Sequence, residues 1–355
     1  MLNKKISVVI ATYNGEKYIK EQLQSICNQT LKPNEIIVSD DGSKDATLAI
    51  VRKVSKQPEA SGIQFVVLQD NPRHGYGGNF EWAMKHSSGD YIFLCDQDDF
   101  WLSSKVESVI EVFYKHPDAK LVFHDAELID KDGKRISGTF NPLLDRLNIR
   151  NQELVKIGTS YCETACSASF INGMCMCISK DLMEVSIPFP YNKLHDQWLL
   201  FLATANDSAY FLNQILAQYR LHGKNVCGHR AFKGSLWDRI QKWKSTIKSG
   251  NIAFADKYHL ASAMLQYLVE NYSDNLTPEL ESASKTAARI VDIGSKTIEC
   301  ATSGRMSGAI RLIKLYCTDI RYRRSGRNIF LYQLADIILH SKKERERHLS
   351  REMGS

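Results

Sequence analysis

Short apolar runs alternate with longer segments of helical spacing over the first 125 residues. "ISVVIAT", "EIIVSD", "IQFVVLQ", "YIFLC" and "KLVFHD" are brief, β-branched and continuous, as buried strands are. Between them lie "GEKYIKEQLQSICNQT", "KDATLAIVRKVSKQ", "GGNFEWAMKHSS" and "SSKVESVIEVFYKH". In the first of these Tyr18, Leu23, Ile26 and Cys27 fall on one face, and Ser43 and Asp45 are capping candidates for the second. Strands alternating with helices of this length predict right-handed βαβ crossovers, hence an α/β fold with a mainly parallel sheet flanked by helices.

From 126 to 195 the pattern loosens. "LIDKDGKRISGTFNPLLDRLNIRNQE" is turn-rich and is expected to cover or flank a site, and "SFINGMCMCISKDLME" reads as a turn, a strand and a short helix. "HDQWLLFLATAND" starts an amphipathic helix with Asp196 in its first turn, and "AYFLNQILAQYRLH" suggests two short strands meeting at an Asn-containing turn. Beyond 229 the pattern is helical, as in "SLWDRIQKWKSTIKS", "AFADKYHLASAMLQYLVENY" and "PELESASKTAARIVDIGSKTIECA". Two domains are therefore expected, residues 1–229 and a basic helical region over 230–355.

Charge supports that division. Residues 230–355 hold 22 Lys and Arg against 13 Asp and Glu, whereas residues 1–229 hold 24 against 27. In "GSLWDRIQKWKSTIK", Leu236, Trp237, Ile240, Trp243 and Ile247 share one helical face, with basic residues elsewhere. That pattern suits a packed helix with solvated lysines or an anionic membrane surface. With "RYRRSGRN" and "HSKKERERH", the whole zone points to peripheral membrane contact. No apolar run reaches membrane-spanning length, and the first residues lack a signal-peptide cleavage pattern, so a cytoplasmic chain is expected. The nine cysteines fit reduced, buried thiols: C-x3-C and C-x-C over Cys162 to Cys177 are not paired zinc knuckles, and Cys175 and Cys177 read as same-face residues of a strand. Nothing resembles a base-stacking or groove-reading motif, so no nucleic-acid partner is expected.

The chemistry lies where the strands end. In open parallel sheets ligands gather at the carboxyl ends of the strands. Thr12, Tyr13 and Asn14 follow the first strand, Asp40 and Asp41 the second, and Asp96, Gln97, Asp98 and Asp99 the fourth. Three carboxylates in four positions beside a core repel one another, and a divalent cation would relieve them. Mg²⁺ or Mn²⁺ fits, since both prefer oxygen ligands and exchange waters for phosphates. The competing reading of D-x-D is a solvated acidic turn. No phosphate-binding loop and no dinucleotide fingerprint follows the first strand, and "HGYGGN" comes after the third. That favours sugar-nucleotide chemistry over kinases and dehydrogenases.

"ISVVIATYNGEKYIKEQLQSICNQT", "EIIVSDDGSKDAT", "CDQDDFW" and the later "HDQW" together resemble family 2 glycosyltransferases of the GT-A fold, over about residues 5 to 225. "DQDDFW", "HDQWLLFLA" and "YRLHGKNVCG" are similar to the bacterial rhamnosyltransferase branch, which builds surface polysaccharides such as O-antigen and capsule from dTDP-L-rhamnose. The resemblance implies that Tyr13 packs on the base, Asp41 accepts the pyrimidine N3–H, and Thr12, Asn79 and Gly78 lie near the nucleoside and phosphates. It implies Asp98 as metal ligand, Asp96 at the ribose or a metal-bound water, and Asp99 either bonding the following backbone or positioning the acceptor. Asp40 would hold the Gly42 turn. Asp196 is implied as general base, with His195 orienting it and Trp198 stacking on an acceptor sugar or lying in the core. Asp125 is a lesser candidate for base or acceptor contact. His222 would complete the metal site and Lys224 face the leaving diphosphate. The implied donor is dTDP-L-rhamnose or a UDP-hexose, and the implied acceptor a lipid-linked oligosaccharide. The rivals are a non-catalytic nucleotide-sugar-binding module and a nucleotidyltransferase; against the latter, "ATYNGEKY" offers only Gly15 and Lys17.

Overall fold

In the computed structural model the described residues are 4–69, 71–72, 75–138, 140–167, 170–190, 194–222, 225, 253–272 and 277–302. Lys224, the segment 234–248 and the two basic clusters beyond 320 lie outside them. The chain divides near residue 231 into two compact units.

The first unit is one ten-stranded mixed sheet with helices around it. Its strands are β1 (Ile6–Thr12), β2 (Glu35–Asp40), β3 (Gln64–Leu68), β4 (Tyr91–Asp96), β5 (Phe100–Trp101), β6 (Leu121–Ile129), β7 (Arg135–Ile136), β8 (Leu154–Ile157), β9 (Met176–Ser179) and β10 (Ala209–Arg220). The order across it is β3-β2-β1-β4-β9-β6-β10-β5, with β7 on β6 and β8 on β10. The first four neighbours run parallel. The helices are α1 (Ile19–Cys27), α2 (Thr47–Val54), α3 (Tyr76–Lys85), α4 (Lys105–Lys115), α5 (Pro142–Arg146), α6 (Cys162–Ser167), α7 (Lys180–Ser186) and α8 (His195–Ala205).

The alternating pattern and the structure agree for β1 to β4, α1 to α4 and β6. Val8, Val9 and Ile10 of β1 and Ile36, Ile37 and Val38 of β2 are fully buried, which is why those strands read as continuous apolar runs. Of the two capping candidates before α2, Asp45 accepts a hydrogen bond from Thr47 N at 3.0 Å, while Ser43 turns instead towards Asp40 and Asn14.

Four expectations are corrected. β9 inserts antiparallel between β4 and β6, so the parallel order is interrupted. Residues 209–220 form one strand, not two, because register shifts between Leu212, Ile215 and Ala217 absorb the Asn213 segment as a bulge against β6. Helix α8 is buried on nearly every side from Gln197 to Ala205 rather than amphipathic. Asp125 lies within β6, not at its end.

Cys27, Cys95, Cys162, Cys166, Cys175 and Cys177 are free and buried. Cys177 is in β9 and Cys175 in the 3-10 turn before it. Burial raises the thiols of Cys95, Cys175 and Cys177, and that of Cys27 to about 11. The second unit contains the helix Ala253–Tyr272, with Leu260, Met264 and Leu268 buried at helical spacing, and most of the helix Pro278–Thr302. Among the described residues no helix is long and apolar enough to cross a membrane.

Candidate active site

The register of the parallel strands builds the site. Thr12 pairs with Asp40, and Ala11 pairs with Asp96, so the ends of β1, β2 and β4 are level. Above them opens a cleft of about 710 Å³. Thr12, Tyr13, Asp41, Asn79, Asp96, Asp98, Asp196 and His222 all line it. Residues as distant as 12 and 222 in sequence thus share one cavity.

Tyr13 stands 57% exposed, its ring free to stack on a planar group. Its backbone is pinned from both sides by Gln97, whose Oε1 accepts from Tyr13 N at 3.0 Å and whose Nε2 donates to Tyr13 O at 3.1 Å. This clasp requires Gly15, because a Cβ there would lie 2.2 Å from Gln97 Oε1. Asp40 holds the Gly42 turn, as expected: its Oδ2 accepts from Gly42 N and from Ser43 N at 2.7 Å, and Gly42 has φ +86°. Asp41 faces the cleft and accepts from Gly75 N at 2.9 Å. Asn79 is a brace as much as a lining residue. Its Nδ2 donates to Ser39 O at 2.9 Å and Thr12 O at 3.3 Å, locking α3 across β1 and β2. Gly78 is buried within α3 and does not line the cleft; Gly75, at the start of α3, does.

Also in the cleft lining, His222 Nε2 and Asp98 Oδ2 are 2.8 Å apart. Asp96 lies beside them. Burial, then the charges of Asp98 and Asp196, push its carboxyl up to about 7. Two residues missing from the sequence reading organise this region. Arg220, at 2% exposure, donates from Nε to Asp98 O at 2.9 Å and from Nη2 to Glu21 Oε2 at 2.8 Å, and its guanidinium lies 4.8 Å from the Tyr18 ring centre. Lys105 is buried, donates to Met174 O at 2.7 Å and sits over the Trp101 ring; burial lowers it to about 8. Nothing in "YRLH" or "SSKVES" sets either residue apart from a surface cation; only the assembled fold buries them.

Asp196 lies in the first turn of α8. Burial pushes its carboxyl up to about 6, against hydrogen bonds from backbone amides that favour the charged form, including Gln197 N at 2.8 Å. The preceding Leu194 has φ +60°, a left-handed conformation costly for a branched side chain and typical of functional turns.

Three expected roles are not met by the geometry, and Trp198 takes the second of its two expected places, the core. Asp99 is fully buried and absent from the cleft lining; its Oδ1 accepts from Arg220 N at 2.9 Å, so it fastens β10 rather than the acceptor or the following backbone. Trp198 is in the core, donating to Ser186 O at 3.0 Å and stacked on Phe201. Asp125 is buried in an ion pair with Arg150. His195 lines the cleft but makes no hydrogen bond to Asp196.

Replacing Arg220 with Met should lower stability by about 1.5–3 kcal/mol, the usual cost of losing hydrogen bonds from a charged group. Glu21 is half exposed and can rehydrate, while the Asp98 carbonyl loses its donor. Urea unfolding of Arg220→Met beside wild type measures this; an unchanged midpoint would contradict it.

Among the described residues no three His, Cys, Asp or Glu side chains are already gathered as a metal site. Asp98 and His222 nonetheless offer an oxygen and a nitrogen side by side, beside an Asp96 carboxyl left without a hydrogen-bond partner among the described residues. That donor set suits a hard divalent cation that keeps positions for phosphate oxygens.

Residues 7–171 match the family model for glycosyl transferase family 2. An uncharacterized glycosyltransferase of Nostoc sp. is 27% identical over 62% of this chain and 66% of its own length. The Escherichia coli protein WfaP, a UDP-Glc:alpha-D-GlcNAc-diphosphoundecaprenol beta-1,3-glucosyltransferase, is 25% identical over 70% of this chain and 84% of its own. The chain spans just under two thirds of the length of several curated relatives it matches, as with 64% of a mycobacterial protein. Among solved structures, Staphylococcus aureus TarS 1–349 in complex with UDP-GlcNAc has a TM-score of 0.51 at 19% identity, covering 94% of this chain and 90% of that one. The Pyrobaculum calidifontis mannosyltransferase PcManGT, in complex with GDP-Man and Mn²⁺, also scores 0.51 at 16% identity, covering 95% and 87%. At these identities the likeness is one of fold. Residues 7–171 thus match glycosyl transferase family 2, on a sheet that shares its fold with these glycosyltransferase structures.

Proposed function

We propose that the chain is an inverting glycosyltransferase, carrying a sugar from a pyrimidine nucleotide diphosphate to a hydroxyl of a lipid-linked surface oligosaccharide. The observation that carries this reading is a single cleft lined by an exposed aromatic with a carboxylate, an Asp–His pair and the half-buried carboxylate of Asp196.

Tyr13 offers a stacking face and Asp41 an acceptor for a pyrimidine N3–H. Asp98 and His222 would hold Mg²⁺ or Mn²⁺. Such an ion, when bound, supplies positive charge to a diphosphate as a bond to it breaks. Asp96 would contact the donor's ribose or a water of the ion. Asp196 takes the proton of the acceptor hydroxyl. A carboxyl near 6 is mostly ionised at neutral pH yet more basic than an ordinary one, which suits a general base. Attack from the face opposite the leaving diphosphate gives inversion. Residues 1–229 would perform this reaction, and the basic region 230–355 would meet the anionic surface that holds the acceptor.

The resemblance of "DQDDFW" and "YRLHGKN" supports dTDP-L-rhamnose as donor; the named function of WfaP supports UDP-glucose. Asp41 suits thymine and uracil alike. A donor panel with Mn²⁺, scored by nucleotide release onto a lipid-linked acceptor, decides between them. One of these two donors should turn over at least tenfold faster than any purine nucleotide sugar, and a clear preference for GDP-mannose would overturn the pyrimidine reading.

A further inference from the structure

Asp98 and His222 meet at 2.8 Å, yet they follow β4 and β10, which β9 and β6 separate in the sheet. No register between neighbouring long strands sets this pair. The nearest ladder is the short one between β5 and β10, and it ends where Phe100 faces Gln218. Asp98 and His222 both lie beyond that end, on backbone outside any strand. Backbone past the end of a ladder frays unless other bonds tie it down.

Three residues supply those ties. Arg220 is the last residue of β10. Its N donates to Asp99 Oδ1 and its Nε to Asp98 O, both at 2.9 Å, so it carries the pairing past the ladder to the residue that bears the carboxylate. Glu21 Oε2, accepting from Nη2 at 2.8 Å, holds the guanidinium from α1. Asn225 acts on the other member of the pair. Its Oδ1 accepts from His222 N at 3.0 Å and its Nδ2 donates to Arg220 O at 2.7 Å, which closes the turn that carries His222. The Tyr18 ring meets both sides. The Arg220 guanidinium lies 4.8 Å from its centre, and the His222 ring lies 5.1 Å away, tilted by 34°. The Tyr18 hydroxyl has no hydrogen-bond partner among the described residues, so the ring makes these contacts and the hydroxyl adds none.

We propose that Arg220, Asn225 and Tyr18 are positioning residues that hold Asp98 and His222 together as one divalent-cation site. They act through those two side chains. This rests on the glycosyltransferase reading above and its divalent cation. Groups that orient metal ligands from behind are typically worth roughly 10–100-fold in metal affinity.

The test titrates Mn²⁺ alone into the full chain, well below the unfolding temperature of each variant, and follows unbound Mn²⁺ by electron paramagnetic resonance. Asn225→Ala and Tyr18→Leu should each weaken Mn²⁺ binding by roughly tenfold or more, with the number of sites per folded chain unchanged. Tyr18→Phe, which keeps the ring, should bind Mn²⁺ as wild type does. Residues that served folding alone would lower Tm in the variants and leave the dissociation constant of the folded chain where it was. Asn225 is half-buried in a turn, so if Tyr18→Leu fails to fold, Asn225→Ala decides the matter. Wild-type affinity in Asn225→Ala, or in a folded Tyr18→Leu, overturns the proposal while leaving the metal site intact. Absence of Mn²⁺ binding by wild type overturns both.

Discussion

Replacing Asp196 with Asn should reduce kcat by roughly 10²–10⁴-fold, the usual contribution of a positioned proton acceptor. Nucleotide-sugar affinity should hardly change. The substitution is conservative here: an amide oxygen can still accept from Gln197 N, so the start of α8 is kept. What is lost is basicity. The same residue sets a pH limb. Its carboxyl lies near 6 because burial disfavours the charge, so the active, ionised form is lost as pH falls through about 6. Below that point the wild-type rate should drop about tenfold per pH unit. The residual rate of the variant should lack this limb. A variant retaining most of its turnover would move the base elsewhere in the cleft.

The second large effect concerns Asp98. Its variant Asp98→Ala should lose nearly all Mn²⁺-supported transfer and the thermal stabilisation that Mn²⁺ gives the wild type. The pH dependence of that stabilisation has a definite sign. Asp96 has its folded value raised, to about 7, above the ordinary carboxylate value of 3.8. The unfolded chain therefore releases this proton at lower pH than the folded chain. Without cation, stability contributed through Asp96 is present at low pH and falls as pH rises from about 4 to about 7. A cation bound beside Asp96 relieves that penalty only where the carboxylate is ionised. The rise in Tm on adding Mn²⁺ should accordingly be larger at pH 8 than at pH 5, and absent in Asp98→Ala. A rise of equal size at both pH values, or one retained in the variant, would place the ion away from these carboxylates.

Much of this architecture is legible in the sequence, because its signals are local. Strands β1, β2 and β4 are buried on both faces, so their sequences are apolar throughout, and the polar residues just beyond them are forced to one edge by parallel geometry. That is enough to bring Tyr13, Asp41, Asp96 and Asp98 together. What stayed hidden depends on contacts between distant segments. "MCMCIS" reads as a strand, but nothing local says that it will enter antiparallel between β4 and β6. "HDQWLLFLA" shows helical spacing; whether its polar-looking positions meet water is settled by neighbours, and Gln197 and Trp198 turn out to be buried. Asp99 shares an acidic run with Asp98, yet one faces the cleft and the other the core, because β5 begins at Phe100 and turns the chain. Gln97, between two more conspicuous carboxylates, gave no sign that it clasps Tyr13. Arg220 gave none that it holds the carbonyl of Asp98. Residues that support a site from behind carry no spacing signature; only their burial marks them.

In the function proposed above, one carboxylate-lined cleft binds a nucleotide diphosphate through a divalent cation. Titration calorimetry of UDP and dTDP into the full chain tests it most directly, with Mn²⁺ and again with chelator. At least one of the two nucleotides should bind in the presence of Mn²⁺. That binding should weaken by more than tenfold in chelator and in Asp98→Ala, and persist in Asp196→Asn. Binding of equal strength in chelator and in Asp98→Ala would contradict the account.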